Sequence, residues 1–229
     1  MKRKLILLHG ALGTDAQMFP LAKQLSAHFK IQNVLFHGHG SLDAGAVFNM
    51  DSLAQQLITS MQEERALVFG YSMGGYVALT AAAIEPELFE GVMTLGTKFD
   101  WSADTLEKEL KQLRPDKIRE KVPQLAKILE ERHGAAWPQQ AEATANMMLH
   151  LSARYRDIES TWTGMQRPVR LMLGDQDKMV TVEETNRVAA MLPDAEIKIL
   201  EETPHQIERV HLDTLVTEIL HFTGGLNHR

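Results

Sequence analysis

A serine, a histidine and a few aspartates are the residues of this chain whose types and settings could carry out covalent chemistry. Ser72 stands in Gly70-Tyr71-Ser72-Met73-Gly74-Gly75, directly after the apolar run Ala66 to Phe69 and before an alanine-rich helical stretch. A serine held between a strand and a helix must adopt a strained backbone. Glycines two residues before and after it remove side chains that would collide there, and the hydroxyl is left exposed. A helix beginning at Met73 also directs unpaired N–H groups and the positive end of its dipole toward that hydroxyl, which favours developing negative charge. A serine hydroxyl is a weak nucleophile until a base takes its proton, so a histidine and a group that orients it are needed. His205, in Thr203-Pro204-His205-Gln206, falls between the last strand-like run and the last helix. Leu171 to Leu173 leads into a turn bearing two carboxylates, Asp175 and Asp177.

The elements that must position these groups are legible as an alternation. Short apolar runs at Leu5 to Leu8, Ile31 to Phe36, Ala66 to Phe69, Val92 to Leu95, Val169 to Leu173 and Ile197 to Leu200 are separated by helix-length segments. This predicts an α/β fold with a mostly parallel six-stranded sheet and helices on both faces. Helices are expected over Asp15 to Phe29, Met73 to Ile84, Val182 to Met191 and Ile207 to Phe222, with Pro86 and Pro193 just beyond two of their ends. The alternation breaks between about residues 101 and 162, too long a stretch for one crossover, and a helical insertion is expected there. Leu106, Leu110 and Leu113 recur at helical spacing, as do Ile118, Val122, Leu125 and Leu129. The insertion also carries Trp137, Met147, Met148, Tyr155 and Trp162, which could cover an apolar cavity or simply anchor helices. Its arginines, Arg114, Arg119, Arg154 and Arg156, read as solvated helix faces.

Composition narrows the function classes. The 229 residues fit one domain with a sizeable core, 44% of them hydrophobic. Thirty acidic against 24 basic side chains give a net charge of -6, which disfavours nucleic acid and anionic membranes as partners. With no cysteine there is no disulfide framework, thiolate metal site or cysteine nucleophile. Lys2 to Leu8 is a basic then apolar run too short for an export signal, no stretch reaches membrane-spanning length, and a cytoplasmic location is expected. His9, His37 and His39 are read as residues of tight turns at strand ends, and no metal or cofactor is expected.

With these motifs in hand, the chain resembles the α/β-hydrolase superfamily over nearly its whole length, in the order nucleophile, acid, histidine. Family members carry a glycine, two residues, an aspartate and a valine three residues later. Gly174, Asp177 and Val180 match, so the resemblance implies Asp177 as the acid and ranks Asp175 second. Some members carry the acid after the preceding strand, which makes Asp100 the competing candidate. His205 matches the late histidine, with Pro204 where the family usually has glycine. Leu7-Leu8-His9-Gly10-Ala11-Leu12-Gly13 resembles the loop that supplies one oxyanion donor, implying the backbone N–H groups of Ala11 and Met73 for that role. Gly38-His39-Gly40 matches a further turn, with Leu35 where an aspartate is often found.

The expected function is hydrolysis of a small carboxylic ester or related acyl compound through an acyl-enzyme, with no cofactor and a small-molecule substrate contacted by Tyr71, Trp137 and Met148. The same residues could instead serve carbon–carbon hydrolysis or a lyase reaction, because fold does not settle reaction. A binding protein that kept the pocket and lost turnover is a third reading. Oligomeric state and the exact substrate lie beyond these motifs.

Overall fold

The computed structural model describes residues 2–40, 42 and 47–226. Six strands, β1 (Lys4–Leu8), β2 (Lys30–Val34), β3 (Ala66–Tyr71), β4 (Phe89–Leu95), β5 (Val169–Gly174) and β6 (Ala195–Leu200), form one sheet in the order β2-β1-β3-β4-β5-β6. Every pairing is parallel. The central strands read as unbroken apolar runs because both faces are covered. Leu5, Leu7, Leu67, Phe69 and Met93 face one core, while Ile6, Leu8, Val68 and Val92 face the other. Helices α1 (Phe19–Leu25) and α9 (Leu212–Gly225) cover the first face. Helices α2 (Met50–Met61), α3 (Met73–Ile84) and α8 (Val182–Ala189) contribute to the second.

Four consecutive helices stand between β4 and β5: α4 (Ala103–Gln112), α5 (Pro115–Lys121), α6 (Pro123–His133) and α7 (Trp137–Trp162). Proline occupies the first turn of α5, α6 and α7, where its missing N–H costs no hydrogen bond and its fixed φ suits a helix start. Met147, Met148, Leu151, Ile158 and Trp162 of α7 join the core beneath them, with Trp162 edge-on to Tyr76 of α3 at 4.9 Å.

Several boundaries differ from the expected ones for local reasons. The second strand ends at Val34 rather than Phe36, because the Phe36 N–H leaves the ladder to donate to His9 Nε2 at 3.1 Å. The helix expected over residues 15–29 is a 3-10 turn at Asp15–Met18 followed by α1, with Pro20 near the start of α1. The one expected from Ile207 is likewise a 3-10 turn, Ile207–Arg209, before α9 begins at Leu212. Helix α2 was not anticipated, although Met50, Leu53, Ala54, Leu57 and Met61 recur at helical spacing. Its start is marked by a capping box in which the Asn49 side chain accepts the Ser52 N–H and Ser52 Oγ accepts the Asn49 N–H.

This topology decides where chemistry can occur. From β1 the chain passes outward to β2, then returns to β3 on the other side of β1. In parallel α/β sheets the crevice beyond the carboxyl ends of the strands flanking such a reversal is the natural ligand site. The loop after β1 carries Ala11, and the turn after β3 carries Ser72.

Candidate active site

Ser72 has φ 52° and ψ -117°, a backbone conformation that L-residues rarely adopt. The surroundings hold it there. Its N–H donates to the Leu95 carbonyl at 2.9 Å, and its own carbonyl accepts the Gly75 N–H and the Thr97 hydroxyl, both at 3.0 Å. The neighbouring glycines are there because backbone crosses at close range. A Cβ on Gly70 would lie 2.4 Å from the Gly74 backbone, one on Gly74 would lie 2.8 Å from the His9 carbonyl oxygen, and one on Gly75 would strike Thr97. Strain at one residue persists when neighbouring structure over-determines it, and it concentrates at sites of function.

The loop after β5 meets the loop after β6. Asp177 Oδ2 accepts a hydrogen bond from His205 Nδ1 at 2.7 Å, while Asp177 Oδ1 accepts the Met179 and Val180 N–H groups at 2.8 and 2.9 Å. Burial alone would raise the pKa of this carboxyl. The His205 hydrogen bond and charge, with the two backbone donors, outweigh burial and bring it below the ordinary carboxylate value. An ionised Asp177 can only accept, so His205 donates from Nδ1, and in the tautomer this selects Nε2 is the nitrogen with the free lone pair.

The two other aspartates have different work. Asp175 Oδ1 accepts the Thr203 N–H at 3.1 Å, which ties the acid loop to the histidine loop. Gly174 lies so close to Thr203 that a Cβ would fall 1.9 Å from its carbonyl oxygen. Pro204 follows in a chain with no cis peptide bond among the described residues. Asp100 accepts the Ser102 N–H and hydroxyl, both at 3.1 Å, and the Thr105 hydroxyl at 2.5 Å, so its carboxylate is committed to the start of α4.

Ser72 and His205 both line a cavity of about 540 Å³. Ala11, Tyr71, Met73 and Met148, four of the residues singled out from sequence, line it too. Met73 opens α3, whose first N–H groups have no partner within the helix. The Tyr71 ring lies 5.6 Å from that of His205, and burial, reinforced by Glu208, raises its pKa above the ordinary tyrosine value, so it stays neutral. Trp137, expected at the cavity, stands elsewhere: it packs with Ile118, Leu129 and Ala141 inside the insertion, beneath the Arg119 guanidinium at 4.9 Å. Its spacing could not tell a cavity wall from a helix anchor. Trp101, Met147, Ile118 and Leu129 supply the apolar wall in its place.

Two polar groupings in this wall were not anticipated. Lys98 Nζ donates to the Met179 carbonyl and pairs with Glu109 of α4 at 3.4 Å. Glu208 Oε1 accepts from Arg132 and from Gln17, each at 2.8 Å. Neither has a local sequence signature, since the partners are far apart along the chain.

A serine on a strained strand-to-helix turn, at the reversal point of a parallel sheet, sharing a cavity with a histidine bonded to a buried carboxylate, defines a class of hydrolytic fold rather than a single enzyme. A family model described as the alpha/beta hydrolase family matches residues 5–216, and the chain belongs to that family. Among curated relatives, a pimeloyl-[acyl-carrier protein] methyl ester esterase of Cronobacter sakazakii (strain ATCC BAA-894) is 26% identical over 88% of this chain and 85% of its own length. One of the same name from Edwardsiella ictaluri (strain 93-146) is 34% identical over a shorter match, 42% of this chain and 37% of that protein. Among solved structures, a thermophilic esterase from Thermogutta terrifontis superposes with a TM-score of 0.78 at 17% identity, covering 99% of this chain and 91% of that one.

Proposed function

We propose that this chain hydrolyses a carboxylic ester of small to medium acyl length by acyl transfer through Ser72, with His205 as base and acid and Asp177 as its orienting partner. The observation that carries this reading is the 2.7 Å hydrogen bond from His205 Nδ1 to Asp177 Oδ2 at the cavity that Ser72 also lines. In it, Ser72 Oγ attacks the ester carbonyl as its proton passes to His205 Nε2, and the carbonyl oxygen takes up negative charge. The N–H groups of Ala11 and Met73 stabilise that oxyanion. Collapse expels the alcohol, which takes the proton from His205 and leaves an acyl-Ser72. Water, deprotonated by the same His205, then releases the acid and restores the serine. Asp177 keeps the tautomer productive throughout and offsets the charge of the imidazolium.

The substrate class rests on the cavity and on the relatives. An apolar wall of Met50, Tyr76, Trp101, Met147 and Met148 suits a flexible uncharged acyl chain, and the volume lies within the range of small-molecule sites. The methyl ester named in the curated relatives is of this chemical class. The reading needs no cofactor. Among the described residues no helix is long and apolar enough to cross a membrane, and a cytoplasmic location accords with that.

The test is turnover of p-nitrophenyl esters from acetate to octanoate, together with fluorophosphonate labelling mapped by mass spectrometry. Ester turnover and labelling at Ser72, both lost in Ser72→Ala with the fold retained, are the expected results. Labelling without ester turnover would shift the reading to carbon–carbon cleavage, and a folded protein that is not labelled would shift it to binding alone.

A further inference from the structure

The last turn of α6 ends in Arg132 and His133, and these consecutive residues reach the two loops that flank the reacting centre from opposite sides. His133 is buried. Its Nε2–H donates to the Leu12 carbonyl at 3.0 Å, and its Nδ1 accepts the Gly40 N–H at 2.8 Å. One ring therefore joins the insertion to the loop after β1 and to the loop after β2, and both bonds are made together only by the neutral Nε2–H form. Arg132 donates to Glu208, three residues beyond His205, and Glu208 accepts in turn from Gln17 beside the loop after β1.

The Leu12 carbonyl is a consequential place to hold. Leu12 follows Ala11 directly, lies within the turn closed by the Gly13 N–H on the Gly10 carbonyl, and has φ 54°. A leucine in the left-handed region is strained and persists only where neighbours hold it. The same turn contains Ala11, whose N–H is a proposed oxyanion donor. Gly10, at the head of the same turn, has no room for a Cβ, which would fall 2.9 Å from the Tyr71 ring and 3.3 Å from Ser72 Cβ. The loop thus packs closely against Tyr71 and Ser72 at Gly10 and is held by His133 of the insertion at Leu12.

We infer that His133 and Arg132 are positioning residues for the chemical step: His133 holds the oxyanion loop in its strained turn, and Arg132, through Glu208, holds the segment that carries His205. Neither touches the reacting atoms in this role. The inference rests on the proposed serine mechanism. It also assigns the insertion a second task beside covering the cavity, because the reacting centre is aligned only while α6 is docked.

The experiment compares His133→Phe, His133→Gln and Arg132→Met with the parent protein, reading kcat and KM on a short ester and the rate of fluorophosphonate labelling of Ser72. His133→Phe keeps a ring and loses both bonds. It is expected to lower kcat and the labelling rate together by roughly 10- to 100-fold, short of the loss of a whole oxyanion donor, with KM within about twofold. His133→Gln retains a terminal N–H for Leu12 and is expected to recover most of that loss. Arg132→Met, at a partly exposed position where folding is not at issue, is expected to lower kcat by roughly threefold to tenfold. Parent-like kcat and labelling in His133→Phe, or equal losses in Phe and Gln, would overturn the His133 assignment; should His133→Phe not fold, a parent-like kcat in Arg132→Met overturns the inference. If the parent protein itself is not labelled at Ser72, it is the serine mechanism that fails, and that outcome is separate from these.

Discussion

Of the three carboxylates considered for the acid role, Asp175 is tied to the Thr203 N–H, and the hydrogen bonds of Asp177 and Asp100 distinguish what each can do. Asp177 divides its oxygens, Oδ1 to two backbone N–H groups and Oδ2 to His205. Asp100 is bound by Ser102 and Thr105 at the head of α4. Asp177→Asn should therefore lower kcat by roughly 10³- to 10⁴-fold, because an amide can no longer enforce the Nδ1–H tautomer. Asp100→Asn should leave kcat within about threefold and cost about 1 kcal/mol of stability through the weakened helix start. Steady-state kinetics and urea denaturation of the two variants separate these outcomes, and a reversed order would exchange the roles. Gly174 belongs to the same scale. A Cβ there would overlap the Thr203 carbonyl, so Gly174→Ala should destabilise the protein by at least about 1–3 kcal/mol and depress kcat by parting the two loops, as read by melting temperature and turnover.

Among the elements, caps and buried carboxylates do much of the joining. Thr181 and Glu184 form a capping box at the start of α8, and Glu184 Oε2 also accepts the Phe99 and Asp100 N–H groups at 2.7 and 2.6 Å. One side chain thus starts a helix and secures the loop after β4. Glu184→Ala leaves those donors unpaired in a buried setting and should cost about 2–3 kcal/mol, whereas Asn49→Ala, which removes the half-buried cap of α2, should cost about 1 kcal/mol. Chemical denaturation of both variants tests the difference, and equal costs would mean that Glu184 acts as a cap alone.

Over the whole molecule, a group of imidazoles lies beneath the site. His9 and His39 are buried with rings 4.8 Å apart, and His39 is 6.1 Å from His133. Burial is the main reason that His9 is lowered to about 4 and His39 to about 3, with Coulomb repulsion among the three rings adding to it. Their ordinary value of 6.5 describes the unfolded chain, which therefore binds more protons than the folded one below that pH. Stability from this source is complete above pH 6.5 and falls as pH drops from 6.5 toward 4 and 3, by at most about 1.4 kcal/mol per pH unit for each ring that stays neutral. Urea midpoints should fall steadily from pH 7 to pH 4.5, and His39→Leu, which removes the more strongly shifted ring, should flatten that slope. An unchanged slope would mean that the carboxylates dominate acid sensitivity.

Local physics made much of this protein legible from residues alone. The apolar runs read as strands, the four central ones buried on both faces, the spacing of glycines around Ser72 required a strained turn, and Pro86 and Pro193 agreed with the ends of α3 and α8. The candidate nucleophile and histidine could be named because each lies at a strand end with a short-range signature, and the resemblance to the hydrolase family singled out Asp177 from the two carboxylates of its turn. Tertiary structure decided what depends on partners distant in sequence. It joined Asp177 to His205, committed Asp100 to α4, seated Trp137 in the insertion rather than at the cavity, and brought His133 onto the Leu12 carbonyl 121 residues away. A hydrogen bond between remote loops leaves no periodicity to read, and a helix docked from the insertion shows its bearing on Ser72 only where it comes to rest.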